Sequence, residues 1–220
     1  NMATMLCYLT TDANVGQSCL DRAVQDAVQN TFNRITIDGD TSTNDSFMLV
    51  ATGAAGNKPI NSSGNELAEK FILNLKDVAV ELAQAIVKDG EGATKFVTVR
   101  VENGVNQQDA LEVAYTVAHS PLVKTALFAS DPNWGRILAV VGRASVSQLK
   151  IDQVSIWLDD VAVVDHGQPA ASYTEEAGQK VMNQEIITIR ISLGLGKAIE
   201  EIWTTDLSHE YVTINAEYRT

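Results

Sequence analysis

Between Ser63 and Val101 the spacing of apolar side chains switches from a helical to a strand period. Leu67, Phe71, Leu75, Val78, Ala79, Leu82 and Ile86 recur every three to four residues, which predicts one long amphipathic helix. Ser63-x-x-Glu66 forms a capping box at its start, and Asp89-Gly90 supplies the glycine that ends it. Phe96-Val97-Thr98-Val99-Arg100-Val101 then alternates apolar and polar residues like a half-buried strand. A chain that carries both periods in succession has to bury a helix stripe against a sheet face.

The same mixture extends over the whole chain. Met5–Thr11 reads as a buried strand ending in the turn-forming Thr11-Asp12-Ala13-Asn14. A helix follows, with Leu20, Ala23, Val24, Ala27, Val28 and Phe32 on one stripe. The polar run from Asp38 to Ser46 separates it from a strand at Phe47–Gly53. A further helix is expected from Gln107 to His119, before Pro121. Strands are expected at Leu138–Val141, Val154–Leu158, Glu185–Ile191, Ala198–Thr205 and Tyr211–Ile214, and a short helix from Thr174. Alternating strands favour a largely antiparallel sheet with helices on one face. The fold class is therefore α/β or α+β, a layered sandwich.

With 220 residues, 45% of them hydrophobic and 20% charged, the chain can bury a sizeable core. One domain is the default expectation. No apolar stretch is long enough to span a bilayer, and the N-terminus lacks the basic-then-apolar pattern of a secretory signal. A net charge of −12 repels phosphate backbones and argues against a nucleic-acid partner. Cys7 and Cys19 make neither a metal cluster nor a disulfide framework, which fits a reducing compartment. His119, His166 and His209 are scattered without metal-ligand spacing.

No P-loop, G-x-G-x-x-G, G-x-S-x-G or H-E-x-x-H motif is present. Gly194-Leu195-Gly196 is too short for a phosphate cradle and reads as relief of crowding at a strand end. Three stretches stand out. Thr4, in Met2-Ala3-Thr4, is either a β-branched strand residue or a nucleophile freed by cutting the bond before it. Glu91, flanked by glycines in Gly90-Glu91-Gly92-Ala93-Thr94-Lys95, is either a solvated turn or a carboxylate facing a ligand ammonium. Ser120–Ala126 with Ser130–Ile137 is either a pair of helix caps with a Trp anchor or a binding wall of Asn, Trp and Arg.

Taken together, "NMATML" with "TTDA", "DGDTSTND", "GEGATK", "SPLVKTA", "DPNWGRI" and the tail "YVTINAEYRT" resemble, in order and from end to end, the β-chain of the ornithine acetyltransferase family, the glutamate N-acetyltransferases of arginine biosynthesis. The resemblance implies a layered sandwich of the N-terminal-nucleophile-like type. It also implies a precursor that cuts itself between Ala3 and Thr4, so that residues 1–220 hold a single β-chain whose nucleophile is Thr4. The chemistry is coherent: a threonine hydroxyl is a weak nucleophile, and the α-amine released by cleavage, with a pKa near ~8, can serve as its base. Where the Ala3–Thr4 bond stays intact, Thr4 lacks that amine.

By the same resemblance Glu91, Asn215 and Thr220 contact substrate together with Thr4, and no metal or resident cofactor takes part. The implied reaction moves acetyl from N2-acetylornithine to L-glutamate by a ping-pong route through an acetyl-threonine; a bifunctional version also takes acetyl from acetyl-CoA as a substrate. The implied partner is an α-chain from the same precursor, in an α2β2 heterotetramer, supplying the oxyanion hole. The implied location is cytoplasmic, or mitochondrial in a eukaryote. Two other classes fit the same residues: an N-terminal-nucleophile amidohydrolase or aminopeptidase, in which water resolves the acyl-enzyme, and a non-catalytic partner chain that only completes an α-chain.

Overall fold

The structure is a computed structural model that describes residues 5–61 and 66–217. Ser63, half of the expected capping box, lies outside them. The elements begin with β1 (Leu6–Thr11), α1 (Gln17–Asn30), the two-residue strand β2 (Ile35–Thr36), β3 (Ser46–Ala51) and α2 (Glu66–Lys88). The chain divides into two compact units.

The first unit runs to Ile35 and then from Asp40 to Ile86. In it β1 and β3 pair in parallel, Leu6 opposite Ser46 and Thr11 opposite Ala51, joined by a crossover that includes α1, as parallel strands require. The start of β1 is tied from far along the chain. Met5 N donates to Asp45 Oδ1 at 3.1 Å, and Ser46 N donates to Met5 O at 3.1 Å. Asp45 Oδ2 also accepts from Ser42 N, so the polar run is a tight hydrogen-bonded loop. Cys19, Ala23 and Ala27 line the buried side of α1. Phe32 packs on Phe47 with ring centroids 5.0 Å apart.

Two expectations shift here. Met5–Thr11 was expected to be buried, but β1 alternates: Cys7 is buried while Leu6 and Tyr8 are exposed. Met48 and Val50 of β3 are exposed as well. In α2 the buried seam within this unit is Ala68, Ile72, Leu75, Ala79 and Ala83, whereas Leu67 and Val78 face outward. Alanines allow close approach, so the small side chains take the inner face.

The second unit comprises Thr36–Gly39 and the chain from Val87 onward. It adds β4 (Phe96–Gly104), α3 (Gln107–Ala118), α4 (Pro121–Phe128), α5 (Trp134–Gly142), β5 (Ser155–Leu158), β6 (Val161–Asp165), β7 (Gln168–Pro169), α6 (Glu175–Met182), β8 (Ile186–Ser192), β9 (Ala198–Thr205) and α7 (His209–Ala216). The sheet order is β2-β9-β4-β8-β5-β6-β7. The β4–β8 pair is parallel; β4–β9, β5–β8, β5–β6 and β6–β7 are antiparallel. This agrees with the expected mostly antiparallel α+β layer.

Alternation decides which face is buried. Val97, Val99 and Val101 of β4 and Ile187, Ile189 and Ile191 of β8 join one core with Ala110, Val113, Ala114 and Val117 of α3. The intervening side chains form a polar face, where Arg100 pairs with Glu102 at 2.7 Å and Glu201 at 3.2 Å. On that face the Arg190 guanidinium lies 4.2 Å from the Trp157 ring centroid.

Two expected strands are helices. Leu138–Val141 lies in α5: the Asn133 side chain accepts from Arg136 N as N-cap, and Ile137, Val140 and Val141 are buried at helical spacing. Four apolar residues alone do not distinguish the two periods. Tyr211–Ile214 lies in α7, capped by Ser208, whose side chain accepts from Tyr211 N. No residue of α7 is buried, so it has no apolar stripe to betray it.

Candidate functional site

Of the expected site residues, Glu91 and Asn215 lie in the second unit. Ala3, Thr4 and Thr220 lie outside the described residues. Glu91 sits in the turn between α2 and β4, and Asn215 in the last turn of α7. The structure brings these two together: Asn215 Nδ2 donates to Glu91 Oε2 at 2.7 Å across 124 positions of sequence. A second hydrogen of the same amide goes to Tyr211 O at 2.9 Å, which fixes the amide plane. Both side chains are exposed, so the remaining carboxylate lone pairs are open to a ligand.

Gly92 makes the approach possible. Its φ is +64°, and a Cβ there would stand 2.5 Å from Tyr211 N and 2.6 Å from Ser208 Oγ. Only a residue without a side chain lets the turn lie against the start of α7. Tyr211 extends the contact, donating its hydroxyl to Asp38 Oδ2 at 2.8 Å.

Beneath the turn is a buried polar cluster that the motif reading did not assign. Asp206 is 3% exposed. Its Oδ1 accepts from Thr94 N at 2.8 Å, Lys95 N at 2.9 Å and Thr205 Oγ1 at 2.9 Å, and its Oδ2 accepts from Thr94 Oγ1 at 2.7 Å. Lys124, on α4, is 2% exposed. Its Nζ donates to Thr204 Oγ1 at 3.2 Å and to Thr205 O, and its own carbonyl accepts from Leu207 N. Burial pulls the Lys124 ammonium down to about 8, against the opposing pull of Asp206 and Asp38. Burial, with Lys124 adding to it, also lowers His119. Lys95 is buried too, its Nζ donating to Met182 O and Gln184 O. The signal for Lys124 was a lysine inside the apolar run Leu122-Val123-Lys124-Thr125-Ala126-Leu127; nothing local marked Asp206.

The other singled-out stretches resolve into structure. Ser120 caps α4 by accepting from Val123 N, with Pro121 at its first turn. Asn133 caps α5, Arg136 Nη1 donates to Leu122 O, and Trp134 packs on the core. That is the helix-cap arrangement. Gly196 has no room for a Cβ against Gly104 O, which accounts for a glycine at that strand end. A pocket of 550 Å³ opens beside the turn, lined by Lys88, Thr94, Lys95, Phe96 and Glu185 among others; neither Glu91 nor Asn215 lines it. Among the described residues no group of three or more His, Cys, Asp or Glu could hold a metal ion, and no helix is long and apolar enough to cross a membrane.

Residues 1–220 match the model of the ArgJ family over their whole length. The chain belongs to the ArgJ family. It is 60% identical over 220 residues to the arginine biosynthesis bifunctional protein ArgJ of Pseudomonas fluorescens (strain Pf0-1), all of this chain matching 54% of that protein. It is 54% identical over 219 residues to the protein of the same name from Neisseria meningitidis serogroup A, again covering 54% of it. The chain thus spans about half the length of the curated relatives it matches. The crystal structure of the arginine biosynthesis bifunctional protein argJ from Bacillus halodurans superimposes with a TM-score of 0.91 at 35% identity, over 98% of this chain and 100% of that one. The α+β layered fold described above is therefore the ArgJ fold.

Proposed function

We propose that the chain is the nucleophile-bearing half of an acetyltransferase of arginine biosynthesis, moving acetyl from N2-acetylornithine to L-glutamate. Family membership and the shared name of the relatives support the pathway. The observation that carries the site is the contact of Asn215 Nδ2 with Glu91 Oε2, which makes one polar platform from two residues far apart in sequence. A carboxylate held by an amide and open to solvent suits an amino-acid ammonium.

The steps follow from residue chemistry. The precursor is cut between Ala3 and Thr4, freeing the Thr4 amine. That amine takes the hydroxyl proton while Thr4 Oγ1 attacks the acetyl carbonyl of N2-acetylornithine. The amide C–N bond breaks, the proton passes to the departing ornithine amine, and acetyl remains on Thr4 as an ester. The glutamate amine then attacks the ester, the C–O bond breaks, and the proton the glutamate nitrogen gives up passes through the Thr4 amine to Oγ1, so the hydroxyl is regained. Glu91, Asn215 and Thr220 bind the amino-acid groups. In the bifunctional version acetyl-CoA is a second donor substrate; no resident cofactor enters either half-reaction. The partner is the other half of the precursor, in an α2β2 assembly, and the span of about half of each relative supports a second segment. A cytoplasmic location fits the two free thiols, Cys7 and Cys19.

The test is labelling. The co-produced precursor is mixed with N2-acetylornithine without glutamate, and the β segment is weighed and fragmented. The expected result is a chain starting at Thr4 and carrying one acetyl on that residue, discharged by glutamate. An active enzyme that still carries Asn1-Met2-Ala3, or that never holds acetyl, overturns the mechanism. Discharge by water at the same rate as by glutamate points to the amidohydrolase chemistry instead.

A further inference from the structure

We propose that Asp206 is a positioning residue for substrate binding: its buried carboxylate ties the turn carrying Glu91 to the helix carrying Asn215. This rests on the reading of Glu91 and Asn215 as binding groups.

Asp206 lies between the end of β9 and Ser208, the cap of α7. One carboxylate therefore sits where the support of both partners meets. It takes two backbone N–H groups, from Thr94 and Lys95, and two hydroxyls, from Thr94 and Thr205. These bonds fix the Glu91 turn at its far end, where it enters β4. Gly92 presses the middle of the turn onto the backbone of α7. Lys124 holds the other side, bonding Thr204, Thr205 and the N–H of Leu207, the residues that flank Asp206. Asn215 then follows about two helical turns beyond the cap, roughly 10 Å along the axis. Its meeting with Glu91 is set by how the turn and the helix start are seated.

The carboxylate is specific to this task. It is an acceptor at both oxygens, and all four groups aimed at it are donors. Asparagine has almost the same shape but presents an NH2 where at least one donor already points. A buried donor left without its acceptor is costly, so the turn moves to find another. The effect reaches substrate through Glu91, not through any contact of Asp206 with the ligand, and so falls on binding common to ground and transition states.

The experiment uses the full precursor, cleaved and assembled, with kcat and KM for N2-acetylornithine measured at saturating glutamate. Asp206→Asn is expected to raise KM about tenfold with kcat within about twofold of wild type. Thr94→Val, which removes one hydroxyl from the carboxylate and keeps both backbone bonds, is expected to raise KM several-fold. The double variant Asp206→Asn/Glu91→Gln is expected to be no worse than Glu91→Gln alone, because the first change acts through the second residue. If Asp206→Asn does not assemble, Thr94→Val and its double variant with Glu91→Gln carry the test. An unchanged KM in the Asp206 and Thr94 variants, with a raised KM for Glu91→Gln, overturns the positioning role and leaves the binding reading standing. An unchanged KM for Glu91→Gln overturns both. A fall in kcat at constant KM, or full additivity in the double variant, also overturns the positioning role.

Discussion

Gly92 lies so close to the backbone of Tyr211 that a methyl group on it would stand 2.5 Å from the Tyr211 nitrogen. The obstruction is main chain and cannot rotate away. The φ of +64° adds strain of about 1–2 kcal/mol for any residue with a Cβ. Gly92→Ala is therefore expected to push α7 off the turn, separate Asn215 from Glu91 and lower both stability and activity. Denaturant unfolding and acetyl transfer measured on the same preparation check this. Gly56 also has positive φ but nothing within 4 Å of its position, so Gly56→Ala should show the strain without the loss of activity.

Glu91→Gln keeps the shape of the side chain and removes its charge. Both Glu91 and Asn215 are exposed and neither holds the core. The melting temperature should stay within a degree or two of wild type. Under the proposed binding role, a charge-assisted contact to an ammonium is worth roughly 1.5–3 kcal/mol, so use of N2-acetylornithine should fall about tenfold or more. Steady-state kinetics beside thermal melting separate the two quantities.

Lys124 predicts a dependence of stability on pH. Its folded pKa is about 8, below the ordinary 10.5, because burial disfavours the ammonium; Asp206 and Asp38 oppose that shift, and His119 is the other titratable neighbour. Below about pH 8 both folded and unfolded chains hold the proton, and the burial cost is felt in full. Between about 8 and 10.5 the unfolded chain binds more protons than the folded one, so this lysine makes stability rise with pH, by up to about 1.4 kcal/mol per unit. Cys7 and Cys19, raised by burial, act in the opposite direction at alkaline pH. The informative quantity is thus the difference between wild type and Lys124→Met. Unfolding free energies at pH 7.5, 9 and 10 should show a gap that shifts in favour of the wild type as pH rises.

The alternation of β8 gives a matched pair of substitutions. Ile189 is 1% exposed and Ile186 is 61% exposed. Ile189→Ala should cost about 2–5 kcal/mol, whereas Ile186→Ala should stay within about 0.5 kcal/mol, as surface changes do. A larger cost at Ile186 than at Ile189 would mean that the strand is seated the other way round.

Where a side-chain period ran the length of an element, as in β4, sequence and structure agree. Leu138–Val141 is too short to reveal its period, and Asn133, the cap that marks α5 as a helix, fits a binding wall as well as a cap when only the sequence is considered. Tyr211–Ile214 misled because β-branched residues suggest a strand, while α7 is held by its cap and by the Glu91 turn rather than by an apolar face. Glu91 and Asn215 stood out only within motifs; residue by residue each had an ordinary structural explanation. Asp206 was invisible because its four donor groups come from Thr94 and Lys95, just before β4, and from Thr205, at the end of β9, and that meeting exists only once β4 and β9 are paired.

The knot between Met5 and Asp45 bears on timing during synthesis. The strand that follows Thr4 is anchored by a carboxylate and an amide some forty residues downstream. A ribosome that has just released Met5 has not yet made Asp45 or Ser46. Under the proposed self-cleavage, the bond before Thr4 has no fixed downstream flank until those residues have emerged and β3 has docked beside β1. On that proposal scission is a late event, and a nascent chain stalled upstream of Asp45 is expected to stay in one piece.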